Sequence, residues 1–146
     1  MLTAGQILQS KPHQTIHAVA PDTSVLDAVR TMTDKRIGAL LVMQDGSVLG
    51  IVTERDLARK FAPMNRLPSE TPVRDIMTAP IIHVASSESA ETCLALMAER
   101  QFRHLPVIDN GKLTGLISIT DLIREVPAQQ QFIIDQLNRY IRGDLR

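Results

Sequence analysis

Apolar residues in this chain recur with two alternating periods. Val25, Ala28, Val29 and Met32 have the i, i+3, i+4, i+7 spacing of a helix with one face turned to a core. The apolar run 39–43 reads as a strand and closes on Asp45-Gly46, a dipeptide that supplies the positive φ angles of a tight type I′ hairpin. A return strand follows at Gly50-Ile-Val-Thr53, and a second helix begins at once. A short strand at 16–19 precedes the first helix, so the order is β-α-β-β-α.

The same order recurs 65 positions later, where residues 16–59 lie on 81–124 without a gap. Twelve positions are identical, among them Ser24/Ser89, Met32/Met97, Gly46/Gly111, Gly50/Gly115, Asp56/Asp121 and Arg59/Arg124. The second copy predicts a strand at 81–84, a helix with apolar Ala90, Cys93, Leu94 and Met97, a strand at 105–108, a turn at Asn110-Gly111 and a return strand at Gly115-Leu-Ile-Ser118. Polar stretches at Asp22-Thr-Ser and Ser86-Ser-Glu are the expected helix caps. Chance similarity between apolar segments would not align both glycines, both turns and both Asp-Leu pairs in one register.

A unit of about 60 residues buries little surface by itself, so two copies sharing a core are expected. The segment Val73-Arg-Asp-Ile-Met77 opens copy two, and Gly5-Gln-Ile-Leu8 is its weaker counterpart, four residues further from its strand. The expected layout is repeat one at 5–62, a proline-bearing surface linker at 63–72, repeat two at 73–127 and a C-terminal amphipathic helix within 128–146. The fold class is α+β, built from α/β-type repeats related by a pseudo-two-fold. In the tail, Phe132, Ile133, Leu137, Tyr140 and Ile141 form one stripe, which packs on its own domain or on a second copy.

Composition narrows the function. Sixteen basic and 16 acidic residues sum to zero, which argues against a general polyanion surface. Four aromatics are few for stacking on single-stranded nucleic acid. The single Cys93 permits no internal disulfide, and its place on an apolar helix face reads as a structural thiol. Met1-Leu-Thr-Ala-Gly-Gln-Ile-Leu shows no secretory pattern and the longest apolar run has seven residues, so a soluble cytoplasmic protein is expected. His13, His17 and His83 show no metal-ligand spacing. There is no phosphate-cradling glycine loop, dinucleotide fingerprint or paired-carboxylate motif, so neither a metal site nor catalytic residues are expected.

Thr53-x-x-Asp56 and Ser118-x-x-Asp121 stand at the two strand-to-helix junctions. Such a spacing is a helix capping box, with an acid that offsets the helix dipole. The same position also suits a ligand: a carboxylate accepts hydrogen bonds from vicinal ribose hydroxyls, and helix N–H groups face phosphate oxygens. On residue chemistry alone the cap is the simpler account.

The chain resembles the CBS (cystathionine-β-synthase) domain family, as a stand-alone pair or Bateman module. The resemblance lies in Asp34-Lys-Arg-Ile-Gly-Ala-Leu-Leu-Val42, Gly50-Ile-Val-Thr-Glu-Arg-Asp-Leu57, Val73-Arg-Asp-Ile-Met-Thr78, Phe102-Arg-His-Leu-Pro-Val-Ile-Asp109 and Gly115-Leu-Ile-Ser-Ile-Thr-Asp-Leu122. It implies a regulatory module that binds AMP, ADP, ATP or NAD in the cleft between repeats, that catalyses nothing, and that acts on an effector outside this chain. Asp56 and Asp121 match the family's ribose-binding Asp, and Thr53 and Ser118 its hydroxyl position. The phosphate end would involve Arg36 and Arg55 in copy one and Arg103 with His104 in copy two; Gly38 and Thr120 complete the nucleotide-binding set. Gly38-Ala39 stands where copy two has Arg103-His104, so the two sites are expected to differ in affinity or ligand. Walls for the base would come from Ile16, Ile37, Ala39, Ile82, Leu105, Pro106 and Ile119, each of which is equally well read as core. The rival reading is a constitutive dimeric scaffold that uses the tail stripe and binds no nucleotide; an enzyme and a nucleic-acid binder rank below it.

Overall fold

The computed structural model describes residues 2–11, 16–125, 139 and 141. It divides into two compact units, Ile16–Ile81 and the pair of segments Met1–Thr15 with Ile82–Arg146. They are called below the first-repeat and second-repeat units.

In the first-repeat unit, β1 (Ala18–Val19) pairs parallel with β2 (Ala39–Gln44), which pairs antiparallel with β3 (Ser47–Thr53). The helix α2 (Val25–Lys35) begins at the N-cap Ser24, whose hydroxyl accepts from the Asp27 N–H, and ends at Arg36 in the left-handed conformation. Its predicted stripe is where it should be: Val25, Ala28 and Met32 are buried and Val29 packs against the same core, with Leu40, Val42, Val52, Val73 and Ile76. The hairpin turns through Asp45 and Gly46 at φ 53° and 81°, the pair of positive angles a type I′ turn requires.

The second-repeat unit repeats this plan with α4 (Ala90–Arg100), β4 (His104–Asp109), β5 (Lys112–Ser118) and α5 (Ile119–Glu125). Ala90, Cys93, Leu94 and Met97 are all buried, and the turn passes through Asn110 and Gly111 at φ 52° and 76°. The cap of α4 is Ser89, the counterpart of Ser24, whereas Ser86 donates its backbone N–H to Asp109 (2.9 Å) and pins the preceding loop. The expected strand at 81–84 is reduced to one parallel bridge, Val84 to Val107. The reason is Pro106. In the first-repeat unit the Leu41 N–H donates to His17 (3.1 Å), and Pro106 occupies the equivalent place with no N–H to give. The helix after β3 also departs from its twin. The α3 turn (Glu54–Asp56) widens through Leu57–Phe61 into the turn Ala62–Met64, because Pro63 cannot donate to the Arg59 carbonyl one turn back.

Repeat in sequence and unit in space are cut at different places. The segment that opens repeat two packs on the first-repeat unit: Val73 N–H donates to Thr23 (2.8 Å), Arg74 N–H to Pro21 (3.1 Å), and Val25 N–H to Thr71 (2.8 Å). Its counterpart α1 (Ala4–Ser10) makes the equivalent bonds to the second-repeat unit: Ala4 to Glu88 (2.7 Å), Gly5 to Ser86 (2.9 Å), and Ala90 to Leu2 (2.9 Å). These pairs are offset by 69 positions (4 to 73, 5 to 74) rather than 65, the four-residue displacement visible in the sequence. Of the tail stripe, Ile141 is buried in the second-repeat core. Phe132, Ile133, Leu137 and Tyr140 lie outside the described residues.

Each leading segment seats on a glycine of the return strand. A Cβ on Gly50 would come within 2.6 Å of the Thr78 carbonyl oxygen, and one on Gly115 within 2.7 Å of the Leu8 methyl groups. Backbone cannot step aside as a leucine rotamer can. Gly50→Ala is therefore expected to cost about 1–3 kcal/mol in urea denaturation and Gly115→Ala distinctly less; equal costs would refute this account of the seating.

Candidate functional site

The chemistry singled out in the sequence gathers at the two strand-to-helix junctions, each within one unit. In the first-repeat unit Thr53 caps α3: its hydroxyl accepts from Asp56 N–H (3.3 Å), and Asp56 Oδ2 accepts from Thr53 N–H (2.9 Å) and from the Thr53 hydroxyl (3.2 Å). Asp56 is 6% exposed. Its other oxygen, Oδ1, accepts from the Thr78 hydroxyl (3.0 Å) and pairs with Lys60 Nζ (3.1 Å), and Lys60 also donates to Thr78 (3.1 Å).

The second-repeat unit repeats the core of this device with different partners. Asp121 N–H donates to Ser118 Oγ (3.2 Å), and Ser118 N–H donates to Asp121 Oδ2 (2.8 Å). Lys11, just past α1, lies 2.9 Å from Asp121 Oδ2, and Arg124 Nη2 lies 2.6 Å from Oδ1. Asp121 is 4% exposed. Burial raises its carboxyl, but the Ser118 backbone N–H and the Lys11 ammonium outweigh burial and hold it below the usual carboxylate range.

The residues around each junction differ more than the motif does. The strand register sets Ala39 opposite Thr53 and His104 opposite Ser118. The Gly38 carbonyl accepts from Glu54 N–H (3.1 Å), as the Arg103 carbonyl does from Ile119 N–H (2.9 Å). A Cβ on Gly38 would meet Glu54 Oε1 at 2.6 Å, so the glycine leaves room for an acidic side chain. The first-repeat junction thus carries a carboxylate where the second carries buried Ile119 beside exposed Arg103. Arg36, Arg55 and Thr120 are exposed. His104 is partly buried, and burial, reinforced by the Arg103 charge, lowers its pKa to about 4 against the pull of Asp121. It is therefore a neutral imidazole at neutral pH and offers a phosphate hydrogen bonding, not the charge expected of it in the sequence.

Among the apolar positions, Leu105, Pro106 and Ile119 are buried in the second-repeat unit and Ala39 in the first; Ile16, Ile37 and Ile82 are half-buried. Cys93 is fully buried, and burial with Glu88 nearby pushes its thiol up to about 11, far from thiolate. Among the described residues no His, Cys, Asp and Glu cluster of three or more could hold a metal ion. No helix of the described residues is long and apolar enough to cross a membrane.

Sequence reading missed Lys60, Thr78, Arg124 and Lys11 as partners of the two carboxylates. The first and third were readable, since Lys60 follows Asp56 by four residues and Arg124 follows Asp121 by three, one helical turn in each case. Thr78 and Lys11 arrive on the leading segments, and no spacing announces them.

Neutral His104 makes stability depend on pH. Below its ordinary 6.5 the unfolded chain takes up a proton that the folded imidazole declines until about pH 4, so stability falls as pH drops through that window. Asp121 adds its own loss only below the ordinary carboxylate value of 3.8. Urea titrations at pH 7, 5.5 and 4.5 are expected to show a decline of up to about 1.4 kcal/mol per pH unit, flattened in His104→Gln; an unflattened decline in the variant would assign it elsewhere.

Comparison with known proteins agrees with the repeat. A family model described as the CBS domain matches twice, at residues 4–63 and 73–128. The mitochondrial CBS domain-containing protein CBSX3 of Arabidopsis thaliana is 37% identical over 84% of this chain and 62% of its own length. A solved protein with CBS domains from Burkholderia ambifaria is 50% identical, with a TM-score of 0.82 over 89% of this chain and 97% of that one. The hexameric CBS-CP12 protein of bloom-forming cyanobacteria is 29% identical, with a TM-score of 0.74 over 92% of this chain and 80% of its own. The chain spans less than two thirds of the curated relatives it first matches, 62% of CBSX3 and 22% of the Arabidopsis protein CBSCBSPB5. Two gapless copies of one sequence unit, each with a buried Asp in the first turn of its last helix, and a family model that covers both, establish that this chain belongs to the CBS-domain family and carries the domain twice.

Proposed function

We infer that the chain is a regulatory module that binds an adenine nucleotide (AMP, ADP, ATP or NAD) at its Thr/Ser-x-x-Asp junctions and acts on a separate effector. The observation that carries this reading is the duplicated junction itself. A hydroxyl and a carboxylate are held within one helical turn, with a backbone N–H and a cation on the same carboxylate in both units. Vicinal ribose hydroxyls are donors of the kind this carboxylate accepts, and Arg124 beside Asp121 is a ready counter-charge for a phosphate. The unlike surroundings favour unequal sites. Glu54 over Gly38 opposes a phosphate at the first-repeat junction, and Arg103 and Arg124 favour one at the second. A homodimer in the cytoplasm belongs to the same reading; the related CBS-CP12 protein is described as hexameric.

A second reading has one observation in its favour. Both carboxylates already have protein donors on both oxygens, as in purely structural caps. The chain would then be a constitutive dimeric scaffold without a nucleotide. Isothermal titration with AMP, ADP, ATP and NAD separates the two. The regulatory reading expects saturable heat from at least one nucleotide, abolished in the combined Asp56→Ala, Asp121→Ala variant. Silence with all four, or binding unchanged in the double variant, favours the scaffold. Because a ligand shifts only states it binds unequally, regulation also requires a difference between the empty and loaded forms.

A further inference from the structure

The two buried carboxylates are neutralised by lysines of different origin. Lys60 follows Asp56 by one turn of its own helix, so exchanging it for a ligand would rearrange one side chain. Lys11 reaches Asp121 from 110 positions away, from the residue that caps the C-terminal end of α1. Its ammonium also donates to the Leu116 carbonyl (2.9 Å), and the adjoining Ser10 hydroxyl shares its one proton between the Ile7 carbonyl (2.8 Å) and Glu125 Oε1 on α5 (3.0 Å). These bonds tie the end of α1 to β5 and α5, above the seat of Leu8 on Gly115.

We propose that Lys11 is a displaceable internal counter-ion, through which a nucleotide bound at the second-repeat junction loosens the C-terminal end of α1. The proposal rests on the nucleotide reading above. A carboxylate oxygen that accepts from ribose hydroxyls gives up its share of Lys11, so ligand and α1 compete for Asp121. Ala4, Ile7 and Leu8 keep the body of the helix in the core, which confines the release to Ser10 and Lys11 at its end. The first-repeat junction has no such charged lever, because its lysine and its carboxylate share a helix and the leading segment reaches Asp56 through the neutral Thr78 hydroxyl. The N-terminal segment is therefore the part of this chain that registers occupancy, and by linkage whatever holds α1 down weakens nucleotide binding.

Hydrogen exchange of α1 in the full chain, with and without saturating AMP or ATP, tests this together with calorimetric affinity. Wild type is expected to exchange several-fold faster at the end of α1 when loaded. Lys11→Gln is expected to exchange fast in both states and to bind nucleotide about 5-fold or more tightly. Lys11→Arg keeps the charge and the response. Ser10→Ala loosens the same helix end without touching Asp121, so it is expected to raise affinity in the same direction and covers the case of a poorly folded Lys11→Gln. Unchanged exchange at α1 on loading overturns the proposal. So does weaker binding by Lys11→Gln, which would make Lys11 a direct ligand contact. Silent titrations for wild type and Lys11→Gln alike overturn the nucleotide reading itself, and the coupling with it.

Discussion

A carboxylate held almost out of water has to be met by donors, and that requirement organises both units. Asp56 and Asp121 each take a backbone N–H from the residue three before them and at least one cation. Removing the partners of a buried charge costs about 3–5 kcal/mol, so the surrounding chain is committed to supplying them. In each unit this draws three things together: the end of a return strand, the first turn of a helix, and a distant cation or hydroxyl. The distant group comes from the leading segment, through Thr78 in one unit and Lys11 in the other.

The leading segments make this arrangement possible. Each seats on a glycine of the return strand, Leu8 on Gly115 and the Thr78 carbonyl on Gly50. The bond pairs that fix them are equivalent in the two units. On the coupling proposed above, ligand at the second-repeat carboxylate acts on the N-terminal helix through the Lys11 charge, whereas the first-repeat carboxylate meets the segment joining the two repeats through the neutral Thr78 hydroxyl. Two copies of one motif are thereby given different mechanical outputs.

Divergence between the copies is concentrated where a ligand's charge would lie. The helices α2 and α4 with their caps, the hairpins and the position of the bulge in each hairpin agree between repeats. What differs is Gly38-Ala39 against Arg103-His104, and Glu54 against Ile119. A duplicated scaffold kept constant while its charges diverge is how one fold presents two unlike sites. His104 illustrates the limit of reading charge from letters, since its burial beside Arg103 leaves it neutral.

Much of this was decided by local chemistry. The 65-residue repeat, the Asp-Gly and Asn-Gly turns, the helix stripes and the capping spacing of Thr53, Asp56, Ser118 and Asp121 are short-range patterns, and backbone sterics and periodic burial dictate them whatever the surroundings. The local pattern also contained the loss of a strand at Pro106, since an imide nitrogen cannot donate, though the apolar run hid it. Tertiary structure alone decided which leading segment serves which repeat, that Lys11 and Thr78 meet the buried carboxylates, and that His104 is uncharged. Each of these depends on contacts between residues far apart in the chain, and on the desolvation those contacts produce, which no spacing in the sequence encodes.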